Sequence, residues 1–250
     1  MELIFKSCPY MKDVWDRETA RCKEYIQAGM QMRSNAKELF SIKDIGKEEY
    51  AIKSQNMDRG FYCPSLIREH VVRNAHRGKI AKRMTKVTRP THHYLFDKDG
   101  RLRYVETYYS NGSVKPEHIY YANNVTYGIV YPTTQRNGEI LISEFNDAYI
   151  YSYIWAYWEL CDGKCIFKEI DLELYNYGED GFLTVDWYNM DDMIGRYTKW
   201  RLSLNNEGVI VHDSFKKLSS EMGCLLGTGG TVTLNYNLTD RIVVATENQE

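Results

Sequence analysis

The residues best equipped for chemistry in this 250-residue chain are its histidines, cysteines and adjacent acids, and their spacing limits what they can form. His70 or His76 beside a lysine of the basic run that follows has the parts of an RNase-like site: base, acid and phosphate binder. A spacing of six sets the two imidazoles on different faces of a helix, which works against that site. Cys161 and Cys165 are the one close thiol pair, and three intervening residues fit neither a redox nor a zinc-ribbon motif. With Cys8, Cys22, Cys63 and Cys224 they make an even count, yet free thiols are expected where no secretory leader precedes them. There is no His-Glu-x-x-His and no Gly-x-Ser-x-Gly, and Gly227-Thr228-Gly229-Gly230 lacks the Gly-Lys-Ser/Thr ending of a phosphate loop. Asp191-Asp192 and Glu179-Asp180 are neighbours whose side chains point apart on a strand, unlike two carboxylates flanking a bond. Neither a metal nor a cofactor is expected, and a binding role is favoured over catalysis.

The pattern richest in information is a hairpin. Asp162-Gly163 suits a two-residue turn, which pairs Leu160 with Cys165. Continued without interruption, the register sets Trp155 against Ile170 and Tyr153 against Leu172 on one face, and Ala156 against Glu169, Ile154 against Asp171 and Ser152 against Glu173 on the other. Tyr149, Tyr151, Tyr153, Trp155 and Tyr157 then share one side, where core packing is their ordinary role, and Glu169, Asp171 and Glu173 form a solvated row around Ile154. A one-residue slip would place acids against aromatics, so the pattern favours this register. The candidate partner-binding residues are therefore Glu169, Asp171, Glu173 and Ile154.

Charge is unevenly distributed. Residues 59–89 hold nine basic side chains against Glu69 alone, net +8, while residues 104–200 hold 15 acidic and 6 basic, net −9. The total of −2 conceals both. The acidic region would attract a basic macromolecule. The basic run would grip phosphates, with Arg73, Arg77, Lys82 and Arg83 as candidate nucleic-acid contacts. Equally, it would dock against the chain's own acidic sheet.

These residues need a scaffold. Val14, Trp15, Cys22, Tyr25, Ile26, Met30 and Phe40 recur near helical spacing, which predicts a helix within 11–40, and Pro64 to His76 reads as a second. Beyond Pro90 the apolar residues alternate, and 16 of the 21 tyrosines lie between Tyr94 and Tyr197. Turn signals stand at Asp99-Gly100, Asn111-Gly112, Asn123-Asn124, Asn137-Gly138, Asp162-Gly163, Asp180-Gly181 and Asn205 to Gly208, the mark of successive hairpins. The expected fold is α+β and mainly β: a helical, basic region over 1–90 followed by a long antiparallel β-meander over 91–250, either as two regions or together as one compact domain. No run of eighteen apolar residues occurs and the opening is too short and acidic for a signal peptide, so no membrane contact and a cytoplasmic location are expected.

Phe96-Asp97-Lys98-Asp99-Gly100-Arg101-Leu102, with looser echoes at Leu160 to Ile166 and Leu204 to Ile210, resembles the aromatic-Asp-x-Asp/Asn-Gly-x-Leu hairpin of tyrosine–aspartate repeat proteins of bacterial polymorphic toxin systems. In its acidic patches and tolerance of cysteine the chain is also similar to immunity proteins. The resemblance implies a protein that neutralises a basic toxin by covering it. It carries over no functional residue.

Overall fold

The computed structural model describes residues 9–34, 44–85, 88–133, 137–146, 149–177, 182–191, 195–204, 209–217, 225–226 and 232–237. A 26-residue helix, α1 (Pro9–Ser34), comes first. Met11, Val14, Glu18, Cys22 and Ile26 recur every three or four residues and are buried, so one stripe of the helix faces the core. Residues 35–40 of the expected helix lie outside the described residues.

The rest is mainly strand. β1 (Ile45–Ile52) and the two-residue β2 (Lys79–Ile80) flank a segment with little regular structure. There follow β3 (His92–Asp97), β4 (Leu102–Tyr108), β5 (Val114–Ala122), β6 (Val125–Val130), β7 (Gly138–Asn146), β8 (Tyr149–Cys161), β9 (Lys164–Tyr177), β10 (Phe182–Asp191), β11 (Gly195–Leu204), β12 (Val209–Lys217), β13 (Leu225–Leu226) and β14 (Val232–Asn237). From β3 to β12 each strand pairs antiparallel with the next. β14 joins β12, β13 runs parallel to β11, and β1 lies outside β3 with β2 beyond it. The fold is thus a β-meander with one long helix, as expected, but the sheet begins before residue 90. The division expected there falls between paired strands, because β1 bonds to β3 from Ile45↔Asp97 to Ala51↔His92.

Asp162 (φ 49) and Gly163 (φ 74) supply the positive-φ turn that the sequence signals, with Leu160 opposite Cys165. Turns at Gly100, Gly112 and Asn123 also sit where expected, whereas Asp180-Gly181 and Asn205 to Gly208 lie outside the described residues.

Alternation along the strands gives the sheet two faces. On the first, α1 packs over Tyr127, Ile129, Ile140, Ile142, Ile154, Ile170 and Leu172. The second is covered by residues 57–77, here called the overlay. Its Leu66 and Ile67 pack on Leu141, Tyr153, Tyr175 and Val185, and its Phe61 and Tyr62 on Tyr94, Phe96 and Val105. The helix expected over 64–76 shrinks to a single turn, α2 (Arg68–Val71). The reason is Arg77: its guanidinium takes the carbonyls of Phe61, Cys63 and Ser65, and so fixes an extended path where a helix would need its own amides.

Candidate functional site

The acids singled out by the sequence do not form a solvated row. Between Tyr157 and Trp158 the ladder shifts, so that Trp158 faces Phe167 and Tyr157 faces Glu169, with Lys168 as the extra residue of a β-bulge. Beyond it the register is Ala156↔Ile170, Trp155↔Asp171, Ile154↔Leu172 and Tyr153↔Glu173, one residue from the expected pairing. Glu169, Asp171 and Glu173 therefore share the face of Tyr153, Trp155 and Tyr157. The signal was present in the apolar spacing, which runs Cys165, Phe167 and then Ile170, Leu172, Leu174: a step of three inside a strand. Ile154 is 0% exposed in the core beneath α1, so it is not the centre of an acidic patch.

Under the overlay the acids are consumed internally. Asp171, 4% exposed, ion-pairs with Arg68 and accepts hydrogen bonds from Trp187 Nε1 (3.1 Å) and Asn189 Nδ2 (3.0 Å). Asn189 also donates to the half-buried Glu169 at 3.2 Å. Glu173, 0% exposed, accepts from the Ser65 hydroxyl at 2.7 and 2.9 Å and from Tyr175. The second nitrogen of the Arg68 fork reaches Asp58 at 3.1 Å, and Asp58 lies 3.7 Å from Lys115, which pairs with Glu139 at 2.7 Å. Arg59 pairs with Glu117 at 2.8 Å. Burial opposes ionisation of Asp58, but Arg68, Lys115 and Arg59 outweigh it and hold the carboxyl below its usual range. Burial raises Glu117 despite Arg59. Glycine at position 128 makes the Arg59–Glu117 pair possible: a Cβ there would lie 1.8 Å from Glu117 Oε1 and 2.4 Å from the Arg59 guanidinium. The cleft between Asp58, Arg59, Lys115, Glu139 and Trp155 has room for about one water molecule.

The basic run divides in two. Arg59, Arg68 and Arg77 are buried and tie the overlay to the sheet or to itself, so Arg77 is withdrawn from the candidate nucleic-acid contacts. Arg73, Lys82 and Arg83 are exposed, as is Lys79 on β2. His76 is exposed and exchanges backbone hydrogen bonds with Gln55, which gives it a structural post, and the side chain of His70 lies outside the described residues. Cys22 and Cys63 are buried free thiols, Cys161 is exposed, and Cys8 and Cys224 lie outside the described residues. Among the described residues no three His, Cys, Asp or Glu side chains are grouped to hold a metal ion.

An acidic, aromatic surface does exist, on strands that the sequence did not point to. On the first face of β1, β3 and β4, His93 lies between two glutamates, with Nδ1 3.1 Å from Glu106 Oε2 and Nε2 3.1 Å from Glu48 Oε2. Its ring stacks on Tyr50, centroids 4.3 Å apart and planes 1° from parallel. The Tyr50 hydroxyl donates to Glu48 (3.3 Å) and the Tyr108 hydroxyl to Glu106 (2.6 Å), while Tyr104 meets His118 edge-on. Burial and then the neighbouring glutamates raise Tyr50, Tyr104 and Tyr108, so these phenols keep their protons. The Glu48 and Glu106 side chains are 47% and 28% exposed, and Oε1 of each has no hydrogen bond among the described residues. Register joins these groups: Tyr50↔His93, His93↔Glu106. Glu48 and Glu106 are 58 positions apart in the chain, which is why reading along the sequence did not connect them.

No family model, curated protein or solved structure matches this chain. Among the described residues no helix is long and apolar enough to cross a membrane.

Proposed function

We propose that the chain is a non-enzymatic binding protein that takes up a basic macromolecular partner on the acidic, aromatic face of β1, β3 and β4, with a toxin-neutralising protein as the concrete form. The observation that carries this reading is the pair Glu48 and Glu106. Each accepts a tyrosine hydroxyl on Oε2, His93 lies 3.1 Å from both and can donate to either, and Oε1 of each has no hydrogen bond among the described residues. Braced side chains lose little freedom on binding, and tyrosine faces attract lysine and arginine. A fluorescent deca-arginine peptide serves as the probe. Wild type should bind it with strong salt dependence, and the Glu48→Gln/Glu106→Gln variant should bind on the order of tenfold more weakly with slower association. Equal affinity for the two proteins would remove the proposal.

A second reading rests on the exposed remainder of the basic run. Lys79 lies on the edge strand β2, Lys82 and Arg83 follow it in the chain, and with Arg73 they are exposed without an ion pair to a described residue, which leaves them open to phosphates. Salt-sensitive binding of a generic single-stranded RNA, abolished by neutralising these four, would favour it. Absence of binding at low salt would exclude it.

A further inference from the structure

We propose that Glu173 is a proton-operated latch for the overlay: as the neutral acid it stays buried beneath Ser65 and its neighbours, and as the carboxylate its need for water outweighs the hydroxyl bonds and lifts them from the sheet. The geometry sets Glu173 apart. Of the three acids on β9 that point to this face it is fully buried, and its hydrogen-bond partners are hydroxyls alone, Ser65 from the overlay and Tyr175 from its own strand. The cation that would balance a carboxylate here, Arg68, is already divided between Asp171 and Asp58. The other groups facing Glu173 give no compensation. Tyr153 stands opposite on β8 and Trp187 opposite on β10, Asp171 adds a like charge from its own strand, and Cys63 lies nearby in the overlay. Burial pushes the Glu173 carboxyl up to about 7, against the hydroxyl bonds that favour its anion. Ionisation near neutral pH therefore strands a charge under Ser65, and lifting the overlay lets water reach it.

Opening has a built-in reporter. Cys63 lies in the overlay and is a buried free thiol, whereas Cys161 at the β8–β9 turn is exposed. Alkylation by iodoacetamide, followed peptide by peptide, yields the rate at Cys63 relative to Cys161, which largely cancels the intrinsic pH dependence of thiol reactivity. In wild type this ratio should rise on the order of tenfold or more between slightly acid and slightly alkaline pH. In Glu173→Gln, which keeps the shape and cannot ionise, it should stay low and flat. Ser65→Ala, which removes the latch contact and leaves Glu173 in place, should give a raised ratio already at acid pH. A flat ratio in wild type overturns the latch, as does a rise that persists in Glu173→Gln. Should that variant fail to fold, a Ser65→Ala ratio at acid pH no higher than that of wild type overturns it as well.

Discussion

Gly128→Ala tests the packing of the buried Arg59–Glu117 pair directly. Gly128 lies on β6 between Ile119 of β5 and Leu141 of β7, and the Arg59 side chain crosses above it, with Nε on Glu117 and the outer nitrogen 3.5 Å from the Leu141 carbonyl. The added methyl would overlap Glu117 Oε1 at 1.8 Å and Arg59 at 2.4 Å. Ordinary contact needs more than an ångström of retreat, and the two side chains are only 4% and 9% exposed, so neither has solvent to move into. The relief available is to break the pair, and separating buried partners costs about 3–5 kcal/mol. Alanine returns about 0.4–1 kcal/mol by restricting the unfolded chain. The net expectation is a loss of about 2–4 kcal/mol in urea unfolding followed by tryptophan fluorescence. The decisive comparison is the same substitution in an Arg59→Ala/Glu117→Ala background, where the space is vacant and the methyl should cost little. A cost below about 1 kcal/mol in wild type, or an equal cost in both backgrounds, refutes the reasoning.

Three further outcomes are expected. Arg68→Ala leaves Asp58 and Asp171 buried without their shared cation and should cost about 3–5 kcal/mol, whereas Arg73→Ala on the exposed side should change stability by less than about 0.5 kcal/mol; equal urea midpoints for the two would contradict the division of the basic run. His92 and Glu173 should impose opposite pH slopes. Burial and then Lys115 push His92 down to about 4 from 6.5, so its share of stability is present above pH 6.5 and lost as pH falls toward 4. Glu173, raised from 4.5 to about 7, contributes stability that is present below pH 4.5 and lost as pH rises through 7. Each is worth about 3 kcal/mol over its window, so in wild type they largely cancel between pH 4.5 and 6.5. Glu173→Gln should unmask a rise of stability with pH and His92→Gln a fall; two unchanged profiles in urea titrations would argue against both assignments. Trp158→Ala opens a void beneath α1, where the ring is 0% exposed, and should cost about 3–5 kcal/mol by thermal or urea unfolding; a cost under about 1 kcal/mol would show that the site collapses freely.

The meander was legible because its signals are local. Asp162-Gly163 and Asn111-Gly112 specify turns from two residues each, and the stripe from Val14 to Ile26 specifies a helix. β1 was missed because Lys47, Glu48 and Glu49 interrupt its apolar pattern, and its place beside β3 is fixed by pairing rather than by alternation. The acidic row was misplaced by a single residue, Lys168, since one bulge moves every later side chain to the other face. The opposed charges of 59–89 and 104–200 did announce an internal docking, and Arg59–Glu117 and Arg68–Asp171 realise it. Which acids remained outside was not readable, because that depends on where the overlay lies, and Arg77 fixes its path through carbonyls that no side-chain pattern reveals.

The pairing of each strand from β3 to β12 with its successor has a kinetic meaning. Sheet contacts of that kind close short loops, and chains dominated by them form structure quickly. The overlay is the opposite case, since Ser65 meets Glu173 across 108 residues and Arg68 meets Asp171 across 103. The meander should therefore zip up hairpin by hairpin while the overlay docks last. A chain stalled between those events presents its aromatic, acidic second face bare, and in that interval it is most exposed to association with other copies.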